Sequence, residues 1–308
     1  MKVAVVGAGM AGFALTWNLL QRGCEVDLFD DASDSASAAS TGLLHPYPGK
    51  EAARAWRADE AMIATKRLLE AVSGDGAAYA PDGILRLGVT EPQRLRFKDY
   101  SCDFLPSLAP SPAMWIPEGI TVYSIPYLNA LRTACAKAHI YKHRVSDLRE
   151  LQSYDLAILA CGVGVFQFEE CRHLPLKRAI GQALICKWPE RLPMALLASG
   201  HIATTEDPHY CQLGSTYEHT AKPDPNKALA LLDRCAKFYP PAKDFEIVEI
   251  RHGTRVSPLQ GARPMIVQLN ENTWVFTGLG SRGLLYHALL AEELVDRAVR
   301  ALCLAKEE

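Results

Sequence analysis

Near the start of the chain, Gly7-Ala8-Gly9-Met10-Ala11-Gly12 has the spacing that holds a phosphate. The first glycine permits a tight turn, the second lets the backbone approach a pyrophosphate, and the third lets the next helix pack on the preceding strand. The N–H groups of Met10 and Ala11 would then stand at a free helix end, where the dipole favours an anion. Asp30, with Asp31 beside it, closes the following apolar run at the place where an acid accepts ribose hydroxyls. An acid there argues against a nucleotide with a 2′-phosphate, and NAD and FAD remain. A second glycine-rich stretch, Gly278-Leu-Gly280-Ser281-Arg282-Gly283, could aim another helix N-terminus at the same ligand.

These residues need a strand, a turn, a helix and a second strand in that order. Lys2–Val6, the apolar stretch after Gly12 and Val26–Phe29 supply them. Residues 31–41 read as a loop rich in Ser, Ala and Asp, and a helix is expected from Glu51 to Val72 with Ala55, Met62, Leu69 and Val72 on one face. Between 74 and 119 short runs such as Gly83-Ile-Leu-Arg-Leu-Gly88 suggest strands of a different layer. The α/β pattern returns with a strand at Val122–Ile125, a helix at Pro126–Ala138 and strands at Ile140–Val145 and Tyr154–Ala160. The last is a continuous apolar run, as in a strand covered on both faces, and Cys161-Gly162-Val-Gly164 breaks it. Leu176–Arg251 reads again as strands, around one helix at 226–238. Strands at Pro264–Leu269 and Thr273–Thr277 then lead through the second glycine-rich turn into a helix reaching about Leu304. The interleaving predicts an α/β fold of two discontinuous units, 1–75, 120–170 and 255–308 binding the nucleotide, and 76–119 and 171–254 forming the other.

With 308 residues, 49% hydrophobic and 22% charged, the composition fits two ordinary globular units. A net charge of −2 offers no bulk attraction for nucleic acid or membrane, though a local basic patch stays open. The chain enters its first strand without a secretory signal, and no apolar run is long enough to span a bilayer, so a cytoplasmic protein that does not contact membrane is expected. Nine scattered cysteines without a Cys-x-x-Cys pair read as reduced, mostly buried thiols, and no metal is expected.

Three stretches carry a family resemblance: Ala36-Ser-Ala-Ala-Ser40-Thr41-Gly42-Leu43-Leu-His45-Pro-Tyr47, Gly214-Ser-Thr-Tyr217 and Gly278-Leu-Gly-Ser-Arg-Gly-Leu284. They are similar to motifs of the FAD-dependent oxidoreductases of the D-amino acid oxidase/glycine oxidase superfamily. Within it they most resemble the oxidase domain of the bifunctional tRNA methylaminomethyl-thiouridine biosynthesis proteins. The likeness spans nearly the whole chain and departs at Arg178-Ala-Ile-Gly-Gln182 and Val256-Ser-Pro-Leu-Gln-Gly-Ala-Arg-Pro264. It implies FAD as cofactor and a Rossmann-like FAD-binding domain with a discontinuous second antiparallel-sheet substrate domain. By the same likeness the FAD contacts are Gly7, Gly9, Met10, Ala11, Gly12, Asp30, Asp31, Ser40, Thr41, Gly42 and Leu43 in the N-terminal third. Val145, Ala160, Cys161 and Gly162 follow, and Gly280, Ser281, Arg282, Gly283 and Leu284 complete the set.

The resemblance also implies the chemistry, oxidation of an amine carbon by a flavin. A hydride leaves a C–H held over the ring, and a cation clamps the carboxylate of an N-substituted glycine or amino acid, best as an arginine fork. Ile250-Arg251-His-Gly-Thr-Arg255 offers two, with Arg251 at the position matched to glycine oxidase and Arg255 as second choice; either is otherwise a surface ion pair. His45 falls in the loop expected to pass the flavin, where it contacts the ring, handles a proton, carries a covalent flavin bond, or serves as a buried structural residue. Tyr217 lines the substrate pocket or packs in the core. The substrate is then the carboxymethylaminomethyl group of a tRNA wobble uridine or a small-molecule amine of the glycine or sarcosine type, unless the site is degenerate. For tRNA, Lys177 and Arg178 with Arg132, Lys137, Lys142 and Arg144 would supply phosphate contacts if they share a face. No counterpart of the methyltransferase half of the bifunctional proteins is present in these residues, so tRNA contact would fall to this region alone. The electron acceptor, oxygen or another, and the oligomeric state are open.

Overall fold

Val3 and Val5 of strand β1 (Lys2–Val6) point to one side and Ala4 and Val6 to the other, and both sides are buried. From β1 the computed structural model, which describes residues 1–31, 35–74, 76–97 and 112–305, proceeds through α1 (Met10–Gln21), β2 (Glu25–Asp30), β3 (Leu43–Leu44), α2 (Ala58–Val72), β4 (Tyr79–Ala80), β5 (Ile84–Leu87) and α3 (Glu91–Arg96). It continues with β6 (Ala113–Ile116), β7 (Ile120–Val122), α4 (Ser124–Ala134), β8 (His139–Lys142), β9 (Leu156–Leu159) and β10 (Leu176–Lys187). The last elements are β11 (Ala195–Leu197), β12 (His201–Thr204), β13 (Tyr210–Gly214), α5 (Pro225–Ala236), β14 (Ile247–Pro258), β15 (Met265–Gln268), β16 (Thr273–Thr277) and α6 (Gly283–Ala305).

The first sheet has the order β15-β16-β9-β1-β2-β8, parallel except for its edge strand β15. Helices α1, α2, α4 and α6 cover one face, where Phe13, Leu15, Leu69, Tyr127, Leu285 and Leu294 pack on Val3, Val5, Leu28 and Ile158. Residues from the turns after β8 and β9, among them Val145, Leu151, Val165 and Phe168, cover the other. Burial on both sides is what the apolar runs of β1 and β9 require.

The second sheet, β14-β10-β13-β12-β11-β5-β6, is antiparallel apart from the β11–β5 pair. One face, with Leu85, Leu184, Cys186, Leu196, Ile202 and Leu213, packs on Ala228, Leu231 and Cys235 of α5. A small antiparallel sheet, β3-β7-β4, closes the junction.

Several boundaries differ from the sequence-based expectations. α2 begins at Ala58 and not near Glu51, because Arg57 sits in the left-handed region at φ +48° and Ala55 N–H is tied back to Pro46 O at 2.8 Å. The strand expected at Val122–Ile125 is Ile120–Val122, since α4 starts at Ser124. Residue 76 does not separate the two units: β4 pairs with β7, and Ala78 is buried in the core of the first. Nor does residue 255, because β14 stays in the second sheet up to Pro258. Residues 98–111, expected in the second unit, lie outside the described residues. The seven cysteines whose side chains are described are free, and most are buried.

Candidate active site

β1 passes into α1 within a few residues. Gly7 adopts φ +106°, and a Cβ on Gly12 would lie 1.7 Å from Gly7 O, so strand and helix meet closer than any side chain allows. Gly9, the N-cap, gives α1 no side-chain cap; Ser37 Oγ instead accepts the Met10 N–H at 3.1 Å. Met10 and Ala11 bury their side chains, and with the Met10 N–H held by Ser37 only the Ala11 N–H of the two is left to face a ligand. Asp30 is half-buried at the end of β2, with Arg132 Nη2 at 3.8 Å from its carboxylate, and the exposed Asp31 has Arg144 Nε at 3.9 Å. Val145 lies buried at the same end of the sheet, its carbonyl accepting the Gln167 amide at 2.9 Å. The Ala160 carbonyl stands 2.6 Å from where a Gly7 Cβ would be, whereas Gly162, at φ +53°, has open space on that side. Burial, reinforced by Cys171, pushes the Cys161 thiol up to about 12, which leaves it unreactive at neutral pH. Small residues around a helix N-terminus, with an acid at ribose range, suit a dinucleotide pyrophosphate.

The loop 35–47 joins this cradle to the second sheet. Ala36 lies on Gly253, whose Cβ would fall 2.6 Å from Ala36 Cα, and Thr41 lies on Gly214, whose Cβ would fall 2.2 Å from Thr41 Cγ2. Gln212 Nε2 and Ser124 Oγ both donate to Ser40 O, at 3.2 and 2.9 Å. Gly42, at φ +74°, would place a Cβ 1.8 Å from Val122 O. Farther along, the buried Arg86 of β5 donates to Tyr47 O and Gly49 O. Strand register puts Arg251, Ala183, Gly214, His201, Leu197 and Arg86 in one row across the sheet. Row partners point the same way, so Arg251, His201 and Arg86 share the face opposite α5, and Arg255 joins them four residues along β14.

The crossing of Ala36 over Gly253 separates the two candidate arginines. On one side Arg251 Nη2 bonds to Glu249 Oε2 at 2.9 Å, two residues away on the same strand. On the other, Arg255 folds over Gly181, donates Nη1 to Thr216 O at 3.1 Å and stands 5.9 Å from the Tyr217 ring centre. Burial lowers the pKa of Arg255, and it forms no ion pair with a carboxylate among the described residues. The helical turn Gly280–Arg282 is on this same side, because a Cβ on Gly280 would lie 2.5 Å from Ser257 Oγ. Arg282 reaches on towards the loop, its Nη2 3.6 Å from the Cβ position of Gly49. His45 is buried and its Nδ1 accepts the Tyr47 N–H at 3.3 Å, which leaves the proton on Nε2. Burial first, then Arg86 and His201, hold its pKa down at about 3. His201 is lowered to about 4 by burial, Arg255, Arg234 and Arg86, and its buried Nδ1 has no hydrogen-bond partner among the described residues.

The family model described as FAD dependent oxidoreductase (DAO) matches residues 2–297. The chain belongs to this family. As a member it is an FAD-dependent oxidoreductase. Its curated relatives include tRNA 5-methylaminomethyl-2-thiouridine biosynthesis bifunctional proteins MnmC. That of Methylobacillus flagellatus is 26% identical over 70% of this chain and 39% of its own length, and that of Maricaulis maris is 26% identical over 96% and 51%. The chain thus spans about half or less of the length of these relatives. Among solved structures, iminodiacetate oxidase from Chelativorans sp. BNC1 superposes with TM-score 0.80 at 20% identity, covering 95% of this chain and 94% of that one. Glycine oxidase from Geobacillus kaustophilus gives TM-score 0.80 at 21% identity, covering 96% and 95%.

The structure gathers most of the residues singled out for FAD around two helix ends and the loop between them, and so fits the family's cofactor. Gly7 to Gly12, Asp30, Val145 and Ala160 to Gly162 surround the α1 end, while Gly280, Ser281, Arg282 and Gly283 form the turn before α6. Ser40, Thr41, Gly42 and Leu43 belong to the loop, with Leu43 packed against Ile84, Ile116 and Leu197. Leu284 is a correction: its side chain is buried in the helix-covered core and its carbonyl accepts from Thr65 Oγ1 at 3.3 Å, so only its N–H is left for a ligand. Tyr217 is not a core residue, since 51% of it is exposed. Arg251, first choice for the carboxylate, is turned to Glu249, and Arg255 takes the inner position. The six cations considered for tRNA are divided, Lys177 and Arg178 on the second sheet and the others beside the first; Arg132 lies over the Phe13 ring and Arg144 bonds to Gln167. Sequence reasoning missed Arg86, His201 and Arg234. Only Arg86 left a signal, a charge inside an otherwise apolar strand.

Proposed function

We propose that this protein oxidises the C–N bond of an N-substituted glycine-type amine, the carboxylate being clamped by Arg255. The observation that carries this reading is a half-buried guanidinium without a carboxylate partner, held on the face under the loop and on the same side as the Gly280–Arg282 turn. A substrate carboxylate supplies the missing charge, and the remaining N–H groups of Arg255 can meet it as a fork. The surrounding positive charge, Arg86 included, also disfavours an ammonium ion, and the amine must be neutral to lose hydride. FAD, when bound, supplies the hydride acceptor. The substrate R–NH–CH₂–COO⁻ gives up a hydride from carbon and a proton from nitrogen to become the imine; water then adds and releases R–NH₂ and glyoxylate. His45, neutral with its proton on Nε2, can donate a hydrogen bond without adding charge.

The test is anaerobic bleaching of the FAD-loaded protein by sarcosine, glycine and tRNA bearing the carboxymethylaminomethyl group. Sarcosine or another N-carboxymethyl amine is expected to bleach the flavin. Arg255→Lys should raise the apparent KM about 30-fold, because a lost bidentate contact costs roughly 2 kcal/mol. Arg251→Lys should change it by less than about 3-fold, as an exposed ion pair is worth little. The opposite ranking of the two lysine variants would return the clamp to Arg251. The curated relatives support a second reading, the wobble-uridine group, and bleaching by that tRNA alone would select it.

A further inference from the structure

The segment that holds Arg255 is irregular. Ala183 pairs with Gly214 in the β10–β13 ladder, but Ile180 pairs with Glu218 where an unbroken ladder would put Tyr217, so residues 215–217 bulge against β10. A bulge gives up ladder bonds, and side chains must fix it. Here the fixing comes from the α5 side of the sheet. The carboxylate of the buried Glu218 accepts from Thr216 Oγ1, from Gln182 Nε2 at 2.8 Å and from the Asp224 N–H at 3.1 Å. Gln182 Nε2 also donates to Asp224 O at 2.7 Å, the Gln182 N–H donates to Thr216 Oγ1 at 2.9 Å, and Asp224 caps α5 by accepting the Asn226 N–H at 3.0 Å. Arg234 of the same helix donates Nη1 to Ser215 O at 3.1 Å.

An ionised carboxylate has only acceptors, so it sets the direction of every donor around it. Burial opposes the charge, but the bonds from Thr216, Gln182 and the Asp224 N–H, with the charge of Lys227, hold the Glu218 carboxyl below the usual carboxylate range. Alternation along 216–218 turns Tyr217 to the opposite, cationic face. There the Thr216 carbonyl accepts Arg255 Nη1 at 3.1 Å and the Tyr217 ring centre stands 5.9 Å from the guanidinium. Gly181, next to the anchoring Gln182, leaves the floor clear for that guanidinium, since a Cβ there would lie 2.7 Å from Nη1. The Gly181-Gln182 step therefore serves both faces of the sheet, in the stretch where the chain departs from the family motif.

We infer that Glu218 is a positioning residue for the carboxylate clamp: from the far face of the sheet it fixes Thr216, and with it the carbonyl and the ring that aim Arg255. This deepens, and rests on, the reading of Arg255 as the clamp.

A glutamate that only supports the fold would weaken ligand binding independently of Arg255, whereas one that acts through Arg255 loses its effect once the fork is gone. FAD-loaded protein is titrated with methoxyacetate, an unreactive ether analogue of sarcosine, and the flavin difference spectrum is followed. Glu218→Gln, which turns an amide towards a donor, is expected to raise Kd about 10-fold, as one misaligned charge-assisted contact implies, and Arg255→Lys about 30-fold. In the Arg255→Lys background the added Glu218→Gln should raise Kd by less than about 2-fold, where independent effects would multiply to about 300-fold. A folded, FAD-loaded Glu218→Gln variant that binds methoxyacetate as the unaltered protein does, or losses that multiply, would overturn the inference and leave the clamp standing. No binding by the unaltered protein, or an affinity unmoved by Arg255→Lys, would sink the clamp and the inference together. Should Glu218→Gln fail to retain FAD, Thr216→Val, which cuts the link between Glu218 and the carbonyl-bearing residue, takes its place in the same cycle. Its Kd is expected to rise about 5-fold in the parent and less than about 2-fold beside Arg255→Lys, and an unchanged Kd or multiplying losses would again overturn the inference.

Discussion

Gly12 and Gly23 show how differently one methyl group can act in this chain. At Gly12 a Cβ would collide with Gly7 O, a backbone atom that cannot move without opening the strand-to-helix turn. Gly12→Ala should therefore cost about 3 kcal/mol by overpacking and release FAD, measured by urea unfolding and by flavin retained after dialysis. Gly23, at φ +73° with nothing near its Cβ position, carries only the backbone preference. Gly23→Ala should cost about 1 kcal/mol and keep FAD bound. Equal losses at both positions would mean that the close approach at Gly12 has no part in building the cradle. The proposed clamp has its own residue-scale contrast. Arg251 and Arg255 are four positions apart and point to one face, but Arg251 has Glu249 beside it and Arg255 has only a carbonyl and a ring.

Tyr127 in α4 and His287 in α6 form a hydrogen-bonded pair with no exposed surface: Tyr127 Oη donates to Nε2 at 2.8 Å, while Nδ1 donates to Leu284 O at 3.0 Å. The pair fixes the first turns of α6, and so the Gly280–Arg282 turn ahead of it, against the rest of the first unit. Tyr127→Phe leaves a buried nitrogen without its partner and should destabilise by about 2 kcal/mol, whereas Tyr127→Phe with His287→Leu should recover much of the loss. A double variant less stable than Tyr127→Phe would contradict this account. At this scale the sequence was readable where pattern is local: Thr273–Thr277 forms β16 as expected, and the helix expected at 226–238 is α5 at Pro225–Ala236. It failed where distant contacts decide. α2 starts late because Pro46 O holds Ala55, and β4 joins the first unit because its partner β7 lies about 40 residues on. The cradle was legible because glycine spacing is itself its geometry. The cationic face was not, since Arg86, His201 and Arg255 come from three strands and are brought together only by register.

For the molecule as a whole, three desolvated histidines set the response to acid. His45, His201 and His287 are held at about 3, 4 and 4, each chiefly by burial. In the unfolded chain a histidine takes up its proton near 6.5, so between that pH and about 4 the unfolded state binds protons that the native state refuses. Stability should therefore fall as pH drops through this window, by up to about 1.4 kcal/mol per pH unit for each histidine. Denaturant midpoints of the FAD-free protein at pH 7.5 and 5 would measure it, and His201→Gln should flatten the slope by about one third. A midpoint unchanged over this range would mean that the imidazoles are protonated in the folded state. The connectivity of the two sheets has a different kind of consequence. The chain passes between them after β4, β6, β9 and β14, and the loop 35–47 lies across both. Neither unit is a continuous cassette that can be cut out and replaced by that of another family member. On the proposed function, a new substrate preference in this scaffold has to be written one side chain at a time on the face beneath the loop, leaving the glycine-rich turns untouched.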